Sequence, residues 1–516
     1  MTSESRTYKS LRNSTAALIF YAANLLISFI SRRVFIDRLG TEVLGLNTTA
    51  SSLLQFLNLA ELGIGTAIGV TLYKPLAEKN QQAINEIVSL QGWFYRKVAW
   101  VIIAAAGVLM LFFPKIFEGT PLPLWYAYGS FGVMLFGALI GYFVNYKQIV
   151  LSANQQQYQI TRTYSSMLLV KVVFQMVAVS VFKHGFLWWL ILEFVFAILS
   201  SCFLNWQIRK SCPELDTHTK DGPSLRKKYP DVLTKIKQLF IHKISTFALT
   251  QTSPLIIYAY ATLTMVTEYT NYVLITTSLL SLFNAIFNGM NAGVGNLVAE
   301  GDKNRIGRVF NELFSIRFLM IATVAYCYFK LATPFVSLWL GSEHILPWDV
   351  ILMVTLLFFI RGTREVVDSF INAYGLFFDI WAPAAEAIIN VGLSILFGYF
   401  WGLTGILGGV LVSQLLIIFI WKPILLHRYG FRQSIAGYVL LYAKHLVAFA
   451  LSILIVNGIS NLIPIDPAGG FGHFILMGTI LTLLFFLVQG GFQYATEQGT
   501  RDFADRMLHQ VIRRRA

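Results

Sequence analysis

The chain has 516 residues, of which 56% are hydrophobic and only 13% charged, and its formal net charge is +14. Ordinary soluble domains carry about 25% charged residues, so this composition excludes a soluble globular protein, and the three cysteines (Cys202, Cys212, Cys327) show neither a disulfide framework nor a metal-ligand pattern. The positive charge does not point to nucleic acid, because it is concentrated in a few connecting segments, as the positive-inside rule requires of a membrane protein.

Apolar windows of about 20 residues recur along the whole length and predict an all-α polytopic membrane protein with about 14 transmembrane helices. The predicted spans lie near 14–36, 43–73, 87–112, 123–150, 158–182, 186–208, 233–262, 268–298, 307–331, 346–374, 378–400, 403–425, 437–461 and 472–494. Arg6, Lys9 and Arg12 precede the first span, which is too long for a signal-peptide core and is read as an uncleaved anchor. With the N-terminus inside, the connections that fall in the cytoplasm are the basic ones. That after the sixth span holds Arg209, Lys210, Lys220, Arg226, Lys227, Lys228, Lys235 and Lys237, that after the eighth Lys303, Arg305 and Arg308, and that after the twelfth Lys422, Arg428 and Arg432. The tail ends in Arg513, Arg514 and Arg515. Both termini are therefore expected in the cytoplasm. The outer connections are short, so function is expected within the membrane rather than in a soluble domain.

The two halves resemble each other. Thr41-Glu42 and Thr267-Glu268 each open a span; Ser52-Leu53-Leu54 with Asn58 matches Ser278-Leu279-Leu280 with Asn284 at the same offset. Leu76-Ala77-Glu78 then matches Val298-Ala299-Glu300, and Ile84 matches Ile306, after a gap of four residues. The copies are six spans apart and so share one orientation. This predicts two parallel-repeat six-helix bundles, 1–208 and 233–426, joined by a basic cytoplasmic linker, 209–232. Two additional helices (437–494) and a basic tail (495–516) fall outside the repeat.

Small residues make the second and eighth spans soft: Glu61-Leu-Gly63-Ile-Gly65 through Gly69 in one, Asn288-Gly289 through Gly293-Val-Gly295-Asn296 in the other. Such residues let membrane helices approach closely, and they also permit bending or local unwinding. No Gly-x-x-x-x-Gly-Lys-Ser/Thr loop occurs, so an ATP motor has no support. Charges inside spans mark either structural pairing or a site. Glu61 reads as a hydrogen-bonded structural carboxylate or as a site for a coupling ion, a proton or sodium. Arg32 and Arg33, late in the first span, point about 100° apart; they snorkel to the interface, or one of them binds an anion. Lys171 and Glu193 are placed to pair, His242-Lys243 and Lys444 read as interfacial. In the tenth span Arg361, Arg364, Glu365 and Asp368 fall at i, i+3, i+4 and i+7, one helix face. Each charge costs roughly 2.5–3.5 kcal/mol at a helix centre, so the stripe must face protein or a wet cavity. Two i,i+4 ion pairs (Arg361 with Glu365, Arg364 with Asp368) are one reading. The other is the lining of a transport path, with Arg361 and Arg364 beside Arg32 and Arg33 as substrate-binding cations, and Glu365 and Asp368 beside Glu61 as ion-coupling groups.

Ser31-Arg-Arg-Val-Phe-Ile-Asp-Arg-Leu-Gly40 with Glu42-Val-Leu-Gly-Leu-Asn47, Ala60-Glu-Leu-Gly-Ile-Gly65 through Leu72-Tyr-Lys-Pro-Leu-Ala-Glu78, and Ala373-Tyr-Gly-Leu-Phe377 are distinctive stretches. So are Pro383-Ala-Ala-Glu-Ala-Ile-Ile-Asn390 with Ser394, and Gly402-Leu-Thr-Gly405-Ile-Leu-Gly408 with Ser413. Together they resemble bacterial polysaccharide transporters of the O-antigen flippase type. These belong to the multidrug/oligosaccharidyl-lipid/polysaccharide exporter superfamily, with lipid II flippases and multidrug and toxin extruders. The resemblance implies two six-helix bundles in a V, a bacterial inner-membrane location, and alternating access that carries a polyprenyl-diphosphate-linked oligosaccharide across the cytoplasmic membrane. It implies a cationic cavity for the diphosphate, to which only the Arg32–Arg33 pair carries over; the 361–368 stripe rests on helical spacing.

The function expected is a flippase in surface-polysaccharide biosynthesis (O-antigen, capsule or exopolysaccharide). Its partners would be the lipid-diphosphate-linked oligosaccharide, membrane lipids, and the polysaccharide polymerase and chain-length machinery; no cofactor beyond a coupling ion and no nucleic acid is expected. An ion-coupled exporter of cationic drugs would need an acidic, aromatic-lined cavity; Arg361 and Arg364 argue against it, while Glu365 and Asp368 keep that alternative open. A membrane glycosyltransferase or polymerase would need catalytic carboxylates and a sizeable outer loop, and no Asp-x-Asp occurs. An enzyme is therefore not expected; an uncoupled scramblase or scaffold has the same composition.

Overall fold

A computed structural model describes residues 6–505 except 62, 155, 235, 237–252, 377 and 380. Most of the predicted seventh span, including His242-Lys243, and the basic tail 513–515 lie outside the described residues. Those described form helices and connections, with no strand among them. The principal helices are α1 (Arg6–Leu39), α2 (Thr41–Leu57), α3 (Ile64–Ala77), α4 (Gln81–Leu111), α5 (Leu124–Phe143), α6 (Gln157–Val181) and α7 (Gly185–Ser211). They continue with α8 (Leu263–Glu300), α9 (Lys303–Trp339), α10 (Trp348–Tyr374), α11 (Trp381–Gln414), α12 (Ala436–Ser460) and α13 (Phe471–Thr496).

Nine helical stretches among the described residues are long and apolar enough to cross a membrane. One of these, 381–431, is two helices merged across a kink at Trp401 and Gly402. Helix α10 is long enough but carries Asp349, Arg361, Arg364, Glu365 and Asp368. Outward-facing apolar side chains, such as Leu187, Trp188, Ile191, Phe194, Val195 and Ile198 along α7, are what lipid rather than water requires. The chain is an all-helical, multi-pass membrane protein.

It divides into two compact units, Met1–Thr267 and Glu268–Ala516. In the first, α3 and α4 bury Ile64, Ile68, Leu72, Ile87 and Val88 against Tyr142 and Tyr146. Helices α2 and α3 are one predicted span, interrupted by a tight turn at Asn58–Glu61 and by Gly63, whose φ of 94° only glycine adopts without strain. Close packing of α2 depends on Gly45, where a Cβ would lie 2.0 Å from the Leu263 carbonyl oxygen. The second unit is built on α9, whose Phe310, Phe314 and Phe318 pack on Tyr438, Tyr442 and His445 of α12 and so tie the last two helices into this unit. The repeat reaches the helix caps. Asn80 caps α4 by accepting from the Ala83 amide, and Asp302, at the matching place, caps α9 by accepting from Asn304 and Arg305. The eighth span, read as soft, is one unbroken helix, α8.

Candidate functional site

Helix α10 turns its apolar residues inward: Val354, Phe358, Val366, Val367 and Phe370 are buried. The face left open by the packing of its unit carries Arg361, Arg364, Glu365 and Asp368, all partly exposed. A lipid-facing helix does the reverse. Arg364 donates through Nε to Asp368 at 2.5 Å, and the two side chains keep 32% and 23% of their surface. The other i,i+4 pair does not form. Arg361 faces Gln414 of α11 instead; with the Gln414 amide oriented to satisfy both groups, its oxygen accepts from Nε and Nη2 at 3.0 and 2.9 Å. A neutral amide orients the guanidinium without cancelling its charge. Glu365 has no hydrogen bond or ion pair from its carboxylate among the described residues, and interacts electrostatically with Asp368, Arg317 and Arg364.

Three groups absent from the predicted site surround it. Glu386, at 5% exposure on α11, lies in the field of Arg364, Lys422 and Arg361. Lys422, predicted in a cytoplasmic connection, is paired with buried Asp379 at 2.8 Å, which also accepts from Trp421 Nε1 at 3.1 Å. Arg317 of α9 has no exposed surface. Its Nε donates to the Gly362 carbonyl at 2.8 Å and its Nη2 to Asn284 at 2.9 Å, with the guanidinium 4.6 Å from the Phe287 ring centre. Gly362 makes this reach possible, since a Cβ there would meet Ile321 at 2.7 Å.

The other predicted residues lie in the first unit. Arg32 is partly buried and donates to the Thr267 carbonyl at 3.4 Å, while exposed Arg33 pairs with Asp37 at 3.9 Å. The two arginines do take different neighbours. Glu61 ends the turn between α2 and α3 and accepts from the Tyr95 hydroxyl at 2.7 Å. Lys171 and Glu193 pair at 2.6 Å, with Gln175 donating to the second carboxylate oxygen at 2.9 Å. Lys444 lies 3.4 Å from Glu497. No group of three or more metal-ligating side chains occurs among the described residues.

No family model matches the chain, and no curated protein does. Solved structures match its fold. The lipid II flippase MurJ in an inward closed conformation aligns with a TM-score of 0.63 at 15% identity, covering 91% of this chain and 98% of that one. An inward-facing multidrug resistance MATE transporter of the MOP superfamily gives 0.59 at 11% identity over 81% of this chain and 98% of the other. An outward-facing one gives 0.55 at 14% identity over 82% and 96%. The chain has the all-helical fold shared by MurJ and the MATE transporters.

Proposed function

We propose that the protein is a flippase that carries a polyprenyl-diphosphate-linked oligosaccharide across the cytoplasmic membrane by alternating access, for surface-polysaccharide assembly. One observation carries the reading. The open face of α10 presents two guanidinium groups within a membrane helix, and one of them, Arg361, is steadied by an amide and forms no ion pair among the described residues. Arginine suits a diphosphate because its planar fork stays charged and bonds two oxygens at once. A lipid-linked substrate leaves its tail in the bilayer while only the head group needs this polar path. The fold is consistent with this substrate class, and the MurJ alignment takes in more of the chain than the MATE alignments do. Of the three carboxylates expected to couple an ion, we assign the role to Glu365, whose carboxylate has no hydrogen bond or ion pair among the described residues; Glu61 and Asp368 are engaged by Tyr95 and Arg364.

The test is flipping of a lipid-diphosphate sugar in sealed vesicles, with and without proton and sodium gradients. Arg361→Ala and Arg364→Ala are expected to insert normally and to lose flipping; normal transport by both would make the stripe structural. Glu365→Gln is expected to lose ion dependence, and unchanged dependence would remove that role.

A further inference from the structure

The interface of α9, α12 and α13 contains a column of polar side chains that transport chemistry at α10 does not use. At one end is a cavity of about 250 Å³ lined by Asn311, His427, Tyr438, Leu441, Lys444 and Glu497. Lys444 and Glu497 pair there at 3.4 Å. Deeper in, Ser452 Oγ donates to Gln489 Oε1 at 2.8 Å. These contacts are eight residues apart on both chain segments and fix an antiparallel register that sets Gln493 opposite the small Ala448. His445 lies beside the same turn, its Nε2 within 3.1 Å of Ser315 Oγ on α9.

His445, Gln489 and Gln493 each have 0% exposure. Yet His445 Nδ1, Gln489 Nε2 and both polar atoms of Gln493 have no hydrogen-bond partner among the described residues. A buried polar group without a partner loses its hydration for nothing, and although single orphans occur elsewhere among the described residues, they gather here. Four on one column, continuing inward from a polar cavity, share a cause. Beyond Ser452, Val456, Met477, Leu481 and Phe485 fill the interface, and its polar side chains are paired with one another, Tyr326 Oη donating to Asn457 Oδ1 at 2.9 Å.

We propose that α9, α12 and α13 enclose a file of bound water that leads from the Lys444–Glu497 cavity past Gln493 and His445 and ends at the Ser452–Gln489 pair. Buried waters typically make about 3 hydrogen bonds to such otherwise unsatisfied groups. From Lys444 to Ser452 the file follows eight residues of α12, about 12 Å of helix, and it ends sixteen residues from the helix start at Ala436, so it reaches into the bilayer and stops. An imidazole on a water file is an arrangement that shuttles protons. The other charged or titratable groups along it are Lys444 and Glu497 at the mouth and His427 and Tyr438 in the cavity.

Hydroxyl-radical footprinting of the whole protein, with radicals generated in situ from bound water, tests this without any transported substrate. Wild-type His445 is expected to be oxidised several-fold faster, after correction for intrinsic reactivity, than Phe485 and Phe131, which are equally buried but away from the file. Gln493→Leu is expected to remove that labelling and to lower the melting temperature, because the waters lose two partners. His445 as inert as Phe485 would overturn the proposal. So would a Gln493→Leu variant with a raised melting temperature, the result for a dry column relieved of two orphan atoms.

Discussion

The repeat places two polar centres in matching positions, and the copies fill them with opposite charge. Tyr95 is eleven residues after Ile84, and Arg317 is eleven after Ile306; Glu61 is three after Asn58, and Phe287 three after Asn284. In the first unit Tyr95 donates to Glu61 and Tyr142 to Asn58 at 3.1 Å, which makes an anionic centre. In the second, Arg317 takes the place of the tyrosine, donates to Asn284 and covers Phe287, which makes a cationic one. The backbone differs in the same sense. Glu61 stands on the turn between two short helices, whereas Asn284 and Phe287 belong to a continuous one. A carboxylate on a break can shift with little repacking. A guanidinium sealed between α8, α9 and Gly362 cannot.

The largest effect follows from that sealing. Arg317→Ala removes two hydrogen bonds and opens a cavity in the second unit, and should cost about 3–5 kcal/mol in unfolding measured in detergent or bicelles. Arg317→Met should recover much of this, since a packed apolar chain replaces a buried ion at little cost. Equal losses in the two variants would mean that the hydrogen bonds, and not the volume, hold the centre. The comparison sharpens with Phe287→Glu, which transplants the acidic member of the first copy beside Arg317. The new carboxylate meets a cation already there, so this variant should fold with a loss several kcal/mol smaller than Phe131→Glu, where a buried charge lands in an apolar cluster. Matching losses would break the correspondence between the copies.

How much of this was legible in sequence depends on how far apart the partners are. Apolar windows mark where the helices run, and the spacing 364/368 is enough to forecast the Arg364–Asp368 pair. The same rule forecasts Arg361 with Glu365 and misses, because Gln414, 53 residues away, supplies two bonds to Arg361. Arg317 gave one weak signal, a charge deep in an apolar span that also holds Glu312 about one turn and a half earlier. Its partners Asn284 and Gly362 are 33 and 45 residues off, beyond any periodicity argument. Glycine content suggested softness in both copies, yet only the first is broken. Small residues permit a break without requiring one, and in the first copy bonds from Tyr95 and Tyr142 hold the turn at Asn58–Glu61.

Tyr95→Phe tests that hold. It removes the hydroxyl that donates to Glu61 and leaves the Tyr95–Tyr142 ring contact, at 5.4 Å between centres, in place. A hydrogen bond to a charged group contributes about 1.5–3 kcal/mol, so a loss of that order is expected in equilibrium unfolding. Glu61→Gln beside it keeps an acceptor for the tyrosine and removes the charge, and should lose less. If Tyr95→Phe is neutral, Glu61 is satisfied by other groups and the phenol does not fix the turn.

The smallest expected effect separates the neighbouring arginines of α1. Arg33 and Asp37 are more than half exposed and 3.9 Å apart, and an exposed i,i+4 pair contributes only about 0–1 kcal/mol. Arg33→Ala should therefore leave both unfolding and flipping near wild type. Arg32→Ala should lower flipping measurably, because its guanidinium is partly buried and reaches the Thr267 carbonyl at the start of α8. An Arg33→Ala variant that inserts normally but does not flip would reverse the ranking, since its exposed surface would then be a substrate contact and its pairing with Asp37 a resting arrangement. Salt distinguishes the cases: a surface pair is screened within a Debye length of about 8–10 Å at physiological ionic strength, so a loss caused only by the broken Arg33–Asp37 pair should shrink as salt rises. A lost substrate contact would leave Arg33→Ala inactive at every salt concentration.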